Sequence, residues 1–270
     1  AGLLVLSSPG FPSVMMLGPA GRAIGIGPEM VTANPALIST GFTAGGGRWN
    51  LSTTGVSLAG GFGLGSEVTA AAGLVYLGHG GIIRRNQQGQ ATGEYSYSTG
   101  SALAGVSFPL SGWAAAGTSL GVSWESADGE GGTGFTVNAG IGFFPMEGMK
   151  AGLAVTGLGT TPSWNGIRKD MPTEIQAGAS LKVTDFLTTF AGGSMGLHTA
   201  DSFGGGLSVA SRGLGASAGY TFAPDQDELT GFFAGAEYRY TSGGTYTLNA
   251  AVQQRDQLSW PVFAGISVSF

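Results

Sequence analysis

Few residues in this chain could take part in catalysis. There are two histidines, His79 and His198, each beside a predicted loop, and there is no cysteine. A Ser-His-Asp hydrolase needs a histidine within reach of a nucleophile, and only His198 leaves that chemistry open. A solvated loop histidine explains His198 more simply, so we predict a protein that is not an enzyme and has no catalytic residue.

Metal and cofactor sites are equally sparse. The segment Asp225-Gln226-Asp227-Glu228 clusters the oxygens that Ca²⁺ prefers, but a solvated acidic loop is the better interpretation. The two histidines lack neighbouring carboxylate pairs. The glycine-rich stretch 129–134 has no Lys-Ser/Thr end and is not a phosphate loop. We therefore predict no metal and no cofactor.

The composition excludes several classes of protein. Glycine contributes 52 of the 270 residues, charged residues are 10%, and the net charge is −5, whereas soluble domains average about 7% glycine and about 25% charged residues. The aromatic content of 10% argues against a disordered chain. With only 11 basic residues, the chain has no basic face for nucleic acid. The absence of cysteine excludes a disulfide scaffold.

Apolar and small polar residues alternate along most of the chain. From Phe135 to Phe143 the apolar side chains fall on one face and Thr136, Asn138 and two glycines fall on the other. A period of two is typical of a strand with one apolar face. The pattern predicts fourteen strands of about ten residues, the length that spans a bilayer when tilted. They lie near 40–49, 51–62, 66–77, 94–108, 113–124, 134–145, 149–158, 173–183, 186–197, 202–211, 213–222, 231–241, 245–254 and 258–270.

The faces predict a transmembrane barrel rather than a soluble sandwich. Neither face carries enough charge for an ordinary soluble surface, and an apolar exterior with a polar interior is the pattern of a membrane β-barrel. With the N-terminus on the periplasmic side, the predicted outer loops 78–93, 125–133, 159–172 and 223–230 are longer than the turns at the other end. The first residues are consistent with a mature N-terminus after signal-peptide removal. The fold class is thus all-β, an antiparallel transmembrane β-barrel in the bacterial outer membrane.

Polar residues on the inner face are the remaining candidates for function. Ionisable groups at membrane depth normally face the interior and pair with one another. They could line a polar path, or they could form a network that keeps the barrel rigid, and we favour the network. The predicted lumen residues are Glu174, Gln176, Lys182, Glu237 and Arg239.

The N-terminal 39 residues differ from the rest. Prolines exclude central strands here, while Val14, Met15, Met16 and Leu17 need cover. We predict that residues 1–39 form a plug and residues 40–270 form the barrel. The alternative is an ordered tail docked on a partner protein.

Short motifs resemble a known family. The segments 21–27 and 34–37 are similar to the start of PorV/PorQ-type barrels of the FadL-like superfamily. Segments 169–178 and 231–240 look like that family's Pro-led eighth strand and its Gly-x-Glu-Tyr strand. The terminal Phe270 resembles the assembly signal of bacterial outer-membrane barrels. The motif residues are Arg22, Gly25, Gly27, Asn34, Pro35, Ala36 and Leu37.

The resemblance implies two functions. PorV-like members bind cargo or the translocon in type IX secretion, so the leading hypothesis is a non-enzymatic scaffold at the cell surface with other protein subunits as partners. FadL-like members move hydrophobic molecules, so the alternative is a passive transporter with a hydrophobic ligand. Membrane lipid is a partner in both cases. A lined apolar pocket near residues 1–39 would favour transport, and a closed lumen with an apolar rim would favour the scaffold.

Overall fold

The chain folds into a closed barrel of fourteen antiparallel strands. The computed structural model describes residues 10–49, 53–161, 163–164, 167–168, 170–197, 199–224, 229–254 and 260–270. Two further short strands, β8 and β9, pair only with each other. The barrel strands are β1 Gly41–Arg48, β2 Thr53–Leu64, β3 Val68–Arg85, β4 Ala91–Ser111, β5 Ala114–Ala127, β6 Glu130–Phe143, β7 Met149–Thr160, β10 Glu174–Lys182, β11 Leu187–Gly196, β12 Ser202–Ser211, β13 Leu214–Phe222, β14 Gly231–Thr241, β15 Thr245–Gln253 and β16 Val262–Ser269; β8 is Ser163–Trp164 and β9 is Ile167–Arg168.

The first and last strands close the barrel. β1 pairs with β16 in antiparallel register, from Phe42 opposite Val268 to Arg48 opposite Val262. Lipid offers no water to free backbone groups, so a sheet crosses a membrane only when no edge is left open. This closure confirms the predicted fold class.

The alternation along each strand separates the two faces as predicted. On β6, Phe135 is 45% exposed on the outside, whereas its neighbour Thr136 is fully buried in the lumen. Leu120 on β5 and Leu153 on β7 are likewise exposed on the outer face. The outer surface is therefore an apolar band suited to lipid.

Two of the predicted outer loops are wrong. Strand β3 continues to Arg85 and β4 begins at Ala91, so most of 78–93 is a β-hairpin with an irregularity between His79 and Ile82. Only residues 128 and 129 separate β5 from β6, although 125–133 is predicted to be a loop. An antiparallel pair satisfies its own backbone in water as well as in lipid, so polar residues do not end these strands.

The N-terminal segment lies inside the barrel. It contains helix α1 (Pro12–Met15), helix α2 (Gly18–Ile24) and two 3-10 helices (Pro28–Thr32 and Pro35–Leu37). A proline stands in the first turn of each, where its missing N–H costs nothing. Within the described part of the chain, no helix combines the length and apolarity that a membrane crossing requires.

We call residues 10–40 the plug. Its side chains form the molecule's buried clusters together with the barrel wall. Phe11, Val31 and Leu37 pack against β2, β3 and β4, while Ile24 packs with Phe190 on β11. Val14, Met15 and Met16 are buried, as their need for cover predicts; residues 1–9 of the predicted plug lie outside the described residues. The division of the chain at residue 40 stays a prediction.

Glycines on the inner wall let the plug backbone approach closely. A Cβ on Gly152 would overlap the carbonyl oxygen of Ala23, and one on Gly117 would overlap that of Pro35. Because both obstacles are backbone atoms, neither can move aside alone. The high glycine content therefore serves plug-to-wall packing as well as turns.

We expect Gly152→Ala to destabilise the barrel by about 1–3 kcal/mol, the usual cost of overpacking. Stability is measured in detergent micelles as the urea concentration at which half of the protein has unfolded. The folded and unfolded forms are told apart by their different mobility on a gel. Gly60→Ala is the matched control, because the nearest atom to its Cβ, on Phe42, is 3.9 Å away. Equal midpoints for the two variants would contradict the plug-to-wall contact.

Candidate functional site

Asn34 joins the plug to the wall. Its side chain is fully buried. Its Nδ2 donates to the carbonyl oxygens of Ala23 at 2.9 Å and Ile141 at 3.3 Å, and its Oδ1 accepts from the N–H of Ala36 at 3.2 Å. One side chain thus links the end of α2, the second 3-10 helix and strand β6.

Wall hydroxyls hold the plug at two further points. Ser107 Oγ donates to the carbonyl of Ala36 at 2.8 Å, and Ser217 Oγ donates to that of Met16 at 2.7 Å. These bonds satisfy helix-end carbonyls that would otherwise be buried without partners. The motif residues Arg22, Gly25, Gly27, Asn34, Pro35, Ala36 and Leu37 all lie in the plug.

The predicted lumen residues separate into two groups. Glu174 forms a buried ion pair with Arg22 of the plug. Gln176 Nε2 donates to Thr156 Oγ1 at 3.0 Å and to Glu174 Oε2 at 3.1 Å. This group ties α2 to β7 and β10. The sequence did not identify Arg22 as the partner of Glu174, although a buried cation requires a carboxylate nearby.

The second group lies nearer the short-turn end of the barrel. Arg239 donates to Glu237 Oε1 at 2.6 Å, along the same strand. Lys182 Nζ donates to Asp185 Oδ1 at 3.0 Å in the turn after β10. The five predicted residues therefore form one network around Glu174 and two separate ion pairs rather than one continuous polar row.

Two cavities lie between the plug and this end. The larger, about 620 Å³, is called the vestibule, and the smaller is about 220 Å³. Phe144 lines both. The smaller is lined also by Ile26, Leu37 and Ile38. The vestibule is lined by Ser13, Met16, Leu17, Ile24, Phe144, Met146, Glu147, Gly148, Met149, Lys150, Ser180, Lys182, Thr188, Phe190, Ser208, Ala210, Ser217, Glu237 and Arg239.

The vestibule residues Met16, Leu17, Ile24 and Lys150 were not singled out as site residues from the sequence. Apolar periodicity marks the outside of a barrel, and no comparable signal marks which plug side chains border a cavity. Lumen-facing Lys150, at an inward position of β7, was the one charge that could have drawn attention.

Other candidate residues do not form a site in the described part of the chain. Thr53 Oγ1 lies 2.7 Å from Nδ1 of His79. His198 and the acidic segment 225–228 lie outside the described residues. Over the described ranges, no group of three or more His, Asp or Glu could hold a metal ion. Phe270 is 78% exposed, and its carbonyl accepts from Thr40 Oγ1 at 2.9 Å; its role in assembly stays a prediction.

Glu29 is a buried carboxyl in the plug, outside the membrane-spanning strands. Ser13 Oγ donates to its Oε1 at 2.7 Å, while Oε2 has no hydrogen-bond partner. Burial raises the pKa of Glu29, and the hydrogen bond from Ser13 opposes this only in part. The plug therefore favours the protonated acid.

Solved structures that are similar to this chain include hydrocarbon channels and a FadL homologue. The CymD monoaromatic hydrocarbon channel is 11% identical, with a TM-score of 0.71 over 96% of this chain and 97% of that one. The toluene transporter TodX of P. putida is 12% identical, with a TM-score of 0.68 over 93% and 97%. A FadL homologue of Pseudomonas aeruginosa is 10% identical, with a TM-score of 0.68 over 96% and 98%.

These similarities establish the shared fold, a full-length barrel with an N-terminal helical segment. No protein-family model matches the sequence, and no curated protein matches it either.

We expect Asn34→Asp to destabilise the protein by about 3 kcal/mol, because a carboxylate would face two carbonyl oxygens and lose both donated bonds. The measurement is the urea midpoint in micelles. Asn86→Asp makes the same change at an exposed position of the β3–β4 hairpin and should leave the midpoint nearly unchanged. Equal losses in both variants would contradict the role of Asn34.

We expect Glu29→Gln to flatten the pH dependence of stability. A raised folded pKa means that the folded state holds its proton more tightly, so the wild type loses stability as pH rises above about 4.5 through the raised value. The free energy of unfolding should therefore fall faster for the wild type than for the variant as pH rises above about 4.5. Parallel pH profiles would show that Glu29 titrates normally.

Proposed function

We propose that this chain is a passive transporter of hydrophobic small molecules across the bacterial outer membrane. The observation that carries the proposal is the vestibule, a cavity that the plug borders through the half-buried Leu17 and the buried Met16 and Ile24. A pocket lined by the N-terminal segment is what a transporter needs and a scaffold does not. Its volume is in the range of small-molecule sites, about 300–1,000 Å³.

The membrane orientation supports the same proposal. Outer-membrane barrels have short periplasmic turns, and residues of the turn 144–148 line the vestibule. The vestibule is then on the periplasmic side of the plug. A ligand that passed the plug would reach this cavity before leaving the barrel.

The named functions of structural neighbours point in the same direction. CymD is described as a monoaromatic hydrocarbon channel and TodX as a toluene transporter. Both combine this barrel architecture with an apolar cargo. We extend that class of cargo to this chain.

A surface scaffold of PorV/PorQ type is the second candidate. The β3–β4 hairpin supports it, because strands ending at Arg85 and starting at Ala91 are longer than a bilayer crossing of about ten residues requires. The hairpin would offer a partner an exposed edge and the ion pair that Arg84, near the hairpin tip, makes with Asp128 of the β5–β6 turn.

We expect Ser208→Trp to reduce hydrocarbon uptake severalfold, because a large side chain would fill the vestibule. Val209→Trp is the matched control, since the adjacent residue is 46% exposed on the outer face. The measurement is the initial rate of labelled toluene uptake by Gram-negative cells that lack other hydrocarbon channels and express each variant. Cells that express the wild-type protein should take up toluene faster than cells that carry the empty vector.

Two results would contradict transport. Uptake equal to the empty-vector rate, with normal barrel levels in the membrane, would reject the proposed function. Equal uptake by both tryptophan variants would show that cargo does not pass through the vestibule. A stoichiometric protein that co-purifies in mild detergent would then support the scaffold.

A further inference from the structure

Lys150 is the cation in the vestibule without a partner. It is the second residue of β7 and alternates inward with Gly152 and Ala154. Its side chain is half-buried and lines the vestibule. Across the described residues it makes no ion pair or hydrogen bond.

The other vestibule cations are already compensated. Arg239 is paired with Glu237 at 2.6 Å, and Lys182 is paired with Asp185 at 3.0 Å. Glu147 is exposed in the turn before β7. A partly desolvated ammonium without an anion is costly, so the site favours a ligand that brings its own negative charge.

Hydroxyl and aromatic groups complete the cavity. Ser180 lies directly opposite Lys150 in the β7–β10 register and also lines the vestibule. Phe144 and Phe190 line it as well. Aromatic rings pack on one another with specific edge or offset geometries. The vestibule therefore combines one unpaired cation, nearby hydroxyls and two aromatic walls.

We propose that the vestibule binds aromatic monocarboxylates, with the carboxylate on Lys150 and the ring against the plug and Phe190. The inference rests on the proposed function, because it names the class of cargo retained on the periplasmic side. A carboxylate accepts hydrogen bonds from both an ammonium and a hydroxyl. A neutral ring of the same size would keep the apolar contacts and lose the charged bond.

The test is direct binding of 1-naphthoate and of its neutral analogue 1-naphthamide to the full chain in lipid nanodiscs, measured by calorimetry against empty nanodiscs. The wild type should bind naphthoate more tightly than naphthamide. Lys150→Gln should weaken naphthoate binding roughly tenfold to a hundredfold, the loss of one charge-assisted hydrogen bond. Its affinity for naphthamide should not change.

Two matched variants distinguish a specific contact with Lys150 from a general effect of positive charge. Arg212→Gln removes an exposed cation from the β12–β13 turn, outside the vestibule, and should leave naphthoate binding within about twofold, because exposed charges contribute little. Lys150→Arg should retain binding. Heat-modifiable gel mobility verifies that each variant is folded, and the naphthoate-to-naphthamide comparison on the wild type needs no variant.

Equal wild-type affinities for the two ligands would overturn the inference, and so would unchanged naphthoate binding by Lys150→Gln. The toluene experiment keeps this failure distinct from failure of the proposed function. If cells take up toluene but the protein does not prefer naphthoate over naphthamide, only the proposed binding of aromatic carboxylates is rejected. Selective naphthoate binding without toluene uptake rejects the transport of neutral hydrocarbons and leaves the carboxylate site in place.

Discussion

The structure depends on one constraint, the need to satisfy every backbone group of a sheet placed in lipid. Pairing of β1 with β16 meets it by leaving no open edge. Closure then determines which strand residues are apolar and which are small or polar, because alternate residues must face lipid on one side and a lumen on the other. Phe135 and Thr136, neighbours in sequence, end in opposite environments for this reason.

A closed barrel of this size encloses more space than small wall side chains fill, and the plug fills most of it. The apolar residues of the plug form the buried clusters, so the molecule's core lies inside the lumen. Where the wall meets the plug backbone there is no room for wall side chains, which explains why Gly117 and Gly152 stand there. Asn34 and the Arg22–Glu174 pair then fix the position of the plug against the wall.

The plug does not fill the lumen completely, and the vestibule lies on its unfilled side. Hydrogen bonds from Ser107 and Ser217 hold helix ends on the wall, while Leu17 and Ile24 border the vestibule. The same segment therefore occupies most of the lumen and forms one side of the vestibule. Lys150 adds a positive charge to a cavity whose other cations, Lys182 and Arg239, are paired with carboxylates.

The sequence alone determined the strand number, the outward faces and the need to cover Val14 to Leu17, because a period of two and uncovered apolar residues follow from local chemistry. It did not determine where the long hairpin ends, because antiparallel pairing continues in water beyond Gly78. It placed Glu174 and Glu237 on the inner face but could not show that one meets Arg22 across the lumen and the other meets Arg239 on its own strand. Only the tertiary structure decided these partners and the position of the vestibule, because both depend on how the plug packs against strands distant in sequence.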